Sequence, residues 1–200
     1  MIIEVDKYKE FIFGYDLNYS DDVHIESAKL ADQEFERFLK EKKFKEIIFM
    51  SGGTASGKTE FVAQNYREIA DILVLDATMK NIESFQIKYK LIKKYQHENV
   101  IVKIVHVAPF IWVNALAAFY GRERQMKLEN FWITHVNSKM TLAKIIEKYE
   151  DVIVELYIST YPNKKCNFEI ASMDNWSKKE KIEFIKNLGL KIEKEFELYK

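Results

Sequence analysis

Apolar residues along the 200-residue chain follow two rhythms. The first is the short unbroken run. "EIIFM" (Glu46–Met50), "DILVLDA" (Asp71–Ala77), "VIVKIVHVA" (Val100–Ala108, closed by Pro109) and "DVIVELYIS" (Asp151–Ser159) read as strands buried on both faces, the kind found in covered parallel sheets. "CNFEIAS" (Cys166–Ser172) is a weaker fifth. The second rhythm is helical spacing. Between Ile25 and Lys42 it shows at Ala28, Leu30, Ala31, Phe35, Phe38 and Leu39.

Further helices are expected over Lys58–Tyr66, Ile82–Tyr95, Phe110–Phe119 and Phe131–Tyr149, with Gly121 as an interruption. Residues 176–199 read as one closing helix, or two broken at Gly189. Residues 1–24 form an irregular or short-strand lead-in with a turn at Ser20–Asp22, so that a helical lead-in occupies about 1–44. Strands alternating with helices predict a three-layer α/β fold with a mostly parallel sheet. There is no internal repeat, and 2 prolines and 6 glycines leave no linker, so residues 1–200 are expected to be a single domain.

Composition narrows the field. A 48% hydrophobic, 31% charged chain is neither disordered nor membrane-embedded, and no apolar run approaches a bilayer span. The first residues lack a secretory flank, which predicts a cytoplasmic protein. Lys+Arg and Asp+Glu are both 31, and zero net charge speaks against broad nucleic-acid binding, although a local basic pocket remains compatible. The single cysteine, Cys166, excludes an internal disulfide and a cysteine-rich metal site.

Half of the six glycines lie at one bend. Gly52-Gly53-Thr54-Ala55-Ser56-Gly57-Lys58-Thr59 satisfies G-x-x-x-x-G-K-[ST], after an apolar strand and before a helix. Glycines let the backbone turn tightly and aim successive N–H groups inward as a nest for phosphate oxygens. The helix N-terminus adds its free N–H groups and positive dipole end. Lys58 supplies a charge for the β- and γ-phosphates, and the Thr59 hydroxyl is a Mg²⁺ ligand. A chance match in a chain this long has odds below about one in a hundred.

Asp76 ends the second strand, where ligands gather in doubly wound sheets. Three roles are open to it: holding Mg²⁺ through water, taking a proton from an acceptor hydroxyl, or capping a helix. Arg122 and Arg124 in "GRERQ" suit a lid gripping a transferring phosphoryl group, or a solvated turn. His24, His97, His106 and His135 show no metal spacing. His106 is expected to be a core residue. His135 is a core residue or a cleft residue. Lys88, Lys90, Lys93 and Lys94 read as a solvated face, and Phe110, Trp112, Phe119, Tyr120, Phe131 and Trp132 as core packing before a base-stacking set. Glu155 lies mid-strand, where a buried, paired acid is expected with its role open, and Asp71 enters its strand.

Together, "IIFMSGGTASGKT", "ILVLDATMKN", "VIVKIVHVAP" and "GRERQMKLENFWITHV" resemble the zeta-toxin family of P-loop kinases over roughly 44–159. That resemblance implies a P-loop kinase fold with a five-stranded parallel sheet in the order 2-3-1-4-5. It implies ATP and Mg²⁺ as cofactors, and phosphorylation of a hydroxyl on a small molecule, a sugar nucleotide in the toxins, with an antitoxin as protein partner. Lys58 and Thr59 would then serve phosphate and Mg²⁺, Asp76 would activate the acceptor, and Arg122 and Arg124 would be lid arginines. Two other functions fit the loop: an ATP-binding switch or partner-regulated protein with weak hydrolysis, and a nucleic-acid end kinase.

Overall fold

A computed structural model describes residues 1–16, 23–122, 127–160 and 166–197, with the backbone alone at 193 and 195–197. Strands β1 (Ile2–Glu4), β2 (Glu46–Ser51), β3 (Ile72–Asp76), β4 (Ile101–Pro109), β5 (Val152–Thr160) and β6 (Asn167–Ile170) form one sheet in the order β1-β3-β2-β4-β5-β6. Neighbours are parallel except β6, which runs antiparallel to β5. Helices α1 (His24–Glu41), α2 (Lys58–Asn65), α3 (Ile82–Tyr95), α4 (Trp112–Tyr120), α5 (Leu128–Lys148) and α6 (Lys178–Glu197) join them, and a 3-10 segment covers Val5–Phe11.

The α/β expectation holds, but the expected strand count and order do not. The lead-in contributes a sixth strand, because Ile2–Glu4 pairs along Val74–Asp76. The order 2-3-1-4-5 would put the Val100 strand between the Asp71 and Glu46 strands. The observed register puts Ile47 beside both Leu73 and Val102, so the Glu46 strand lies between the other two. The connection explains this. From β2 the chain returns through an eight-residue helix and a short loop to the neighbouring slot, as sequential strands most often do. The outer slot beside β3 is then filled by β1.

Topology also decides which face each helix covers. Only the β2-to-β3 step runs toward the β1 edge, whereas the other parallel connections step away from it. Right-handed crossovers therefore put α2 on one face and α1, α3 and α5 on the other. Side-chain alternation follows: Ile47, Phe49, Leu73, Leu75, Val102 and Ile104 join the core under α1, α3, α5 and α6. Ile48, Met50, Val74, Val105 and Val107 meet Phe61 and Val62 of α2. Phe49 packs between Phe35 and Phe85, with ring centroids at 5.8 and 5.1 Å. Burying one such side chain contributes roughly 1.5–3 kcal/mol.

Beyond α2 the second face is open. Ile101, Ile153 and Ile170 are exposed there, and Lys103 bridges Glu46 and Glu155 at 2.8 and 3.0 Å. Glu155 is thus paired as expected, but half-buried rather than buried.

Most other boundaries move by a residue or two. α6 runs unbroken through Gly189, which faces Lys139 and Met140 of α5 with room for a Cβ in ordinary contact, so this glycine does not break the helix. Lys88 departs from the solvated-face expectation. It is buried and lies 2.6 Å from Asp32, because its position on α3 turns toward α1, while Lys90, Lys93 and Lys94 stay exposed. Phe110 and Tyr120 are exposed, against the packing expectation, since Phe110 precedes α4 and Tyr120 ends it on its outer side; Phe119, Phe131 and Trp132 are buried. The turn at Ser20–Asp22 lies outside the described residues. Among those described, no helix is long and apolar enough to cross a membrane.

Candidate functional site

β2 delivers the glycine-rich loop to the carboxyl end of the sheet, where α2 begins at Lys58. Gly52, with φ 134°, has no room for a side chain: a Cβ would lie 2.3 Å from the Val107 carbonyl oxygen of the neighbouring strand. Ala55 and Gly57 adopt left-handed φ of 58° and 95°. This alternation curls a backbone into an anion-binding nest. Lys58 Nζ folds back onto the loop, donating to the Gly52 and Gly53 carbonyls at 3.0 and 2.7 Å.

The loop is held from outside by α5. Thr134 Oγ1 accepts the Thr54 N–H at 3.0 Å, and His135 Nε2 lies 2.9 Å from the Thr54 carbonyl oxygen. The His135 ring fills the hollow over Gly53, where a Cβ would come 2.1 Å from it. A carbonyl only accepts, so Nε2 carries the proton and Nδ1 is bare, with no partner among the described residues. Burial, and then Lys139 and Lys58, keep the imidazole neutral well below its ordinary pKa. From the other side Ser159 Oγ donates to the Ser56 carbonyl at 2.8 Å. Beneath the loop Ser51 Oγ meets His106 Nδ1 at 2.9 Å.

Asp76 ends β3 beside the loop. The Thr59 hydroxyl donates to its Oδ2 at 2.9 Å. Burial raises the Asp76 pKa; Lys58 and the Thr59 bond pull it down, and Glu4 and Asp6 push it further up. Burial likewise pushes the Lys58 ammonium down to about 8, with Asp76 opposing and Arg122 reinforcing. The cap on α3 is Asn81, whose Oδ1 accepts the Ser84 N–H at 2.8 Å, so Asp76 is not spent as a helix cap. Thr59 and Asp76 present two hard oxygen donors side by side, a set that suits Mg²⁺.

These residues share a cleft of about 740 Å³ running from the loop and Arg122 across Asp76 to the 3-10 segment, α1 and α3. That volume suits small-molecule binding. A smaller hollow, about 430 Å³, opens between Lys42–Phe44 and Arg67–Asp71, away from these groups. The cleft thus brings together Thr54–Thr59 of the loop, Asp76 and Arg122, while Gly52 and Gly53 do not line it. Arg124 lies outside the described residues.

Sequence reading placed His135 in the core or the cleft but missed its hold on the loop, and it missed Thr134 and Lys139 altogether. Lys139 is 1% exposed, with Nζ 5.4 Å from the Trp112 ring centre and no carboxylate partner among the described residues. Thr134, His135, Ser138 and Lys139 recur at helical spacing along α5, and that is the signal that could have marked them. Neither the protein-family models nor the curated proteins compared with the chain give a match.

Proposed function

We propose that the protein is an ATP-dependent phosphotransferase that moves the γ-phosphoryl group to a hydroxyl of a small molecule. The observation that carries this reading is the Thr59–Asp76 hydrogen bond at the mouth of a loop with left-handed turns at Ala55 and Gly57. A phosphate nest beside a buried carboxylate is what hydroxyl phosphorylation requires.

The loop N–H groups and Lys58 hold the donor phosphates. Thr59 would hold Mg²⁺, which would supply charge neutralisation for the phosphates and leave the Asp76 carboxylate free for the acceptor. Asp76, whose carboxylate already holds protons more tightly than usual, takes the proton of the acceptor hydroxyl. The acceptor oxygen bonds to the γ-phosphorus as the bond to the ADP oxygen breaks. Arg122, which lines the same cleft, offsets charge on the moving group in this reading. Most of the rate enhancement comes from positioning and fixed charge.

The test is transfer of label from γ-labelled ATP with Mg²⁺ to a panel of acceptors, with Lys58→Ala and Asp76→Asn as comparisons. Transfer to one acceptor, reduced at least about 100-fold in both variants, is expected. Full activity in Lys58→Ala would sink the assignment. ATP turnover that no acceptor stimulates would instead indicate a switch.

A further inference from the structure

The cleft has a second half that the reaction above leaves unassigned. Glu4 leaves β1 in register with Asp76 of β3. Asp6 follows in the 3-10 segment, Asp32 comes from α1, and Ser84 and Lys88 come from α3; all five line the cleft. This wall rises beside Asp76 from β1, the 3-10 segment, α1 and α3. With donor phosphates in the loop, it is the space an acceptor must occupy.

Its charges are already balanced. Buried Lys88 lies 2.6 Å from Asp32 and donates to Ser84 Oγ at 2.9 Å. Buried Lys9 lies 3.1 Å from Asp6, and Lys7 lies 2.6 Å from Glu4. No arginine other than Arg122 lines the cleft among the described residues. Sites for phosphorylated ligands depend on surplus cations or forked guanidinium groups. Lys80 also lines the cleft and is matched in number by Glu10, so this wall has no net surplus of cations and no guanidinium, and the Asp76 carboxylate beside it adds negative charge. What it does offer is an ammonium, a hydroxyl and a half-exposed carboxylate within one reach, a set that pairs with neighbouring hydroxyls.

Resting on the phosphotransferase reading, we infer that this wall is the acceptor site and that it takes an unphosphorylated polyhydroxyl compound, neutral or amine-bearing. Asp32 accepts one hydroxyl or ammonium, Lys88 and Ser84 bind the next, and the reacting hydroxyl faces Asp76. This acceptor differs from the sugar nucleotide that the family resemblance implies.

The experiment is acceptor competition in matched pairs: glucose against glucose 6-phosphate, glucosamine against its 6-phosphate, and N-acetylglucosamine against UDP-N-acetylglucosamine. Label transfer from ATP is followed, and ATP affinity is measured separately by calorimetry. The unphosphorylated members are expected to lead by about tenfold or more in kcat/KM, the scale of like-charge exclusion. Asp32→Asn uncovers the Lys88 charge and should narrow that gap without changing ATP affinity. The double variant Asp32→Asn with Lys88→Gln should restore the gap if the single variant is folded but altered, and its melting curve checks folding.

A wild-type preference for the phosphorylated members would overturn this acceptor assignment and leave the kinase reading standing. Tight ATP binding with no transfer to any member would overturn both.

Discussion

Lys139 is an ammonium-bearing side chain placed where water does not reach. Burial, reinforced by Lys58, pushes its pKa down to about 7 from an ordinary 10.5. The sign follows from linkage. The unfolded chain holds the proton up to about pH 10.5 and the folded chain releases it above about 7, so stability falls as pH drops through that window. Lys139→Met should therefore stabilise the protein near pH 7 by ~1–4 kcal/mol, and the gain should shrink toward pH 10. Denaturant melts at both pH values check this.

Lys58 carries a related consequence. Its ammonium is held down to about 8 before any phosphate arrives, and a bound triphosphate would favour the charged form. ATP affinity should then fall as pH rises above about 8, with proton uptake on binding. Calorimetry in two buffers of different ionisation heat reads that uptake. Affinity independent of pH between 7 and 9 would mean that Lys58 does not meet the phosphates.

At the level of elements, the glycine loop and α5 form one unit. Gly53 and the His135 ring occupy complementary volumes, so a methyl group at 53 displaces the ring and the Thr54 bond with it. Gly53→Ala should weaken ATP binding at least tenfold, and adding His135→Ala should recover part of that loss. Such non-additivity is expected for residues in contact. If the two losses simply add, the ring does not position the loop.

The loop itself was legible from sequence because everything it needs is local: glycines at fixed offsets, a preceding apolar run and a following helix. Its clamp was not. Thr134 and His135 lie 80 residues further along, and helical periodicity shows only that α5 is amphipathic, not which polar residues its wide buried face encloses. Lys88 was misread for the same reason, since its partner Asp32 comes from another helix.

On the scale of the whole molecule, strands were legible as apolar runs, but their order is a matter of non-local pairing that the runs do not encode. The least conspicuous strand, Ile2–Glu4, has large consequences because it carries one wall of the cleft. Ile3, 1% exposed, anchors it in the main core. Ile3→Ala should cost ~2–4 kcal/mol of stability. At a temperature where the variant stays folded it should raise the acceptor KM more than the ATP KM. Equal changes in both would mean that β1 and its 3-10 segment do not border the acceptor.

The clasp on the loop also has a meaning in time. Protein synthesis runs from the amino end, so the glycine loop leaves the ribosome well before Val107, and longer still before Thr134 and His135, which lie 80 residues behind Thr54 or its neighbours. A nascent chain cut short before α5 carries the complete sequence signature yet lacks the groups that give the loop its shape. Nucleotide binding should therefore switch on abruptly as α5 docks, and a ribosome-bound chain ending near residue 120 should not retain ATP.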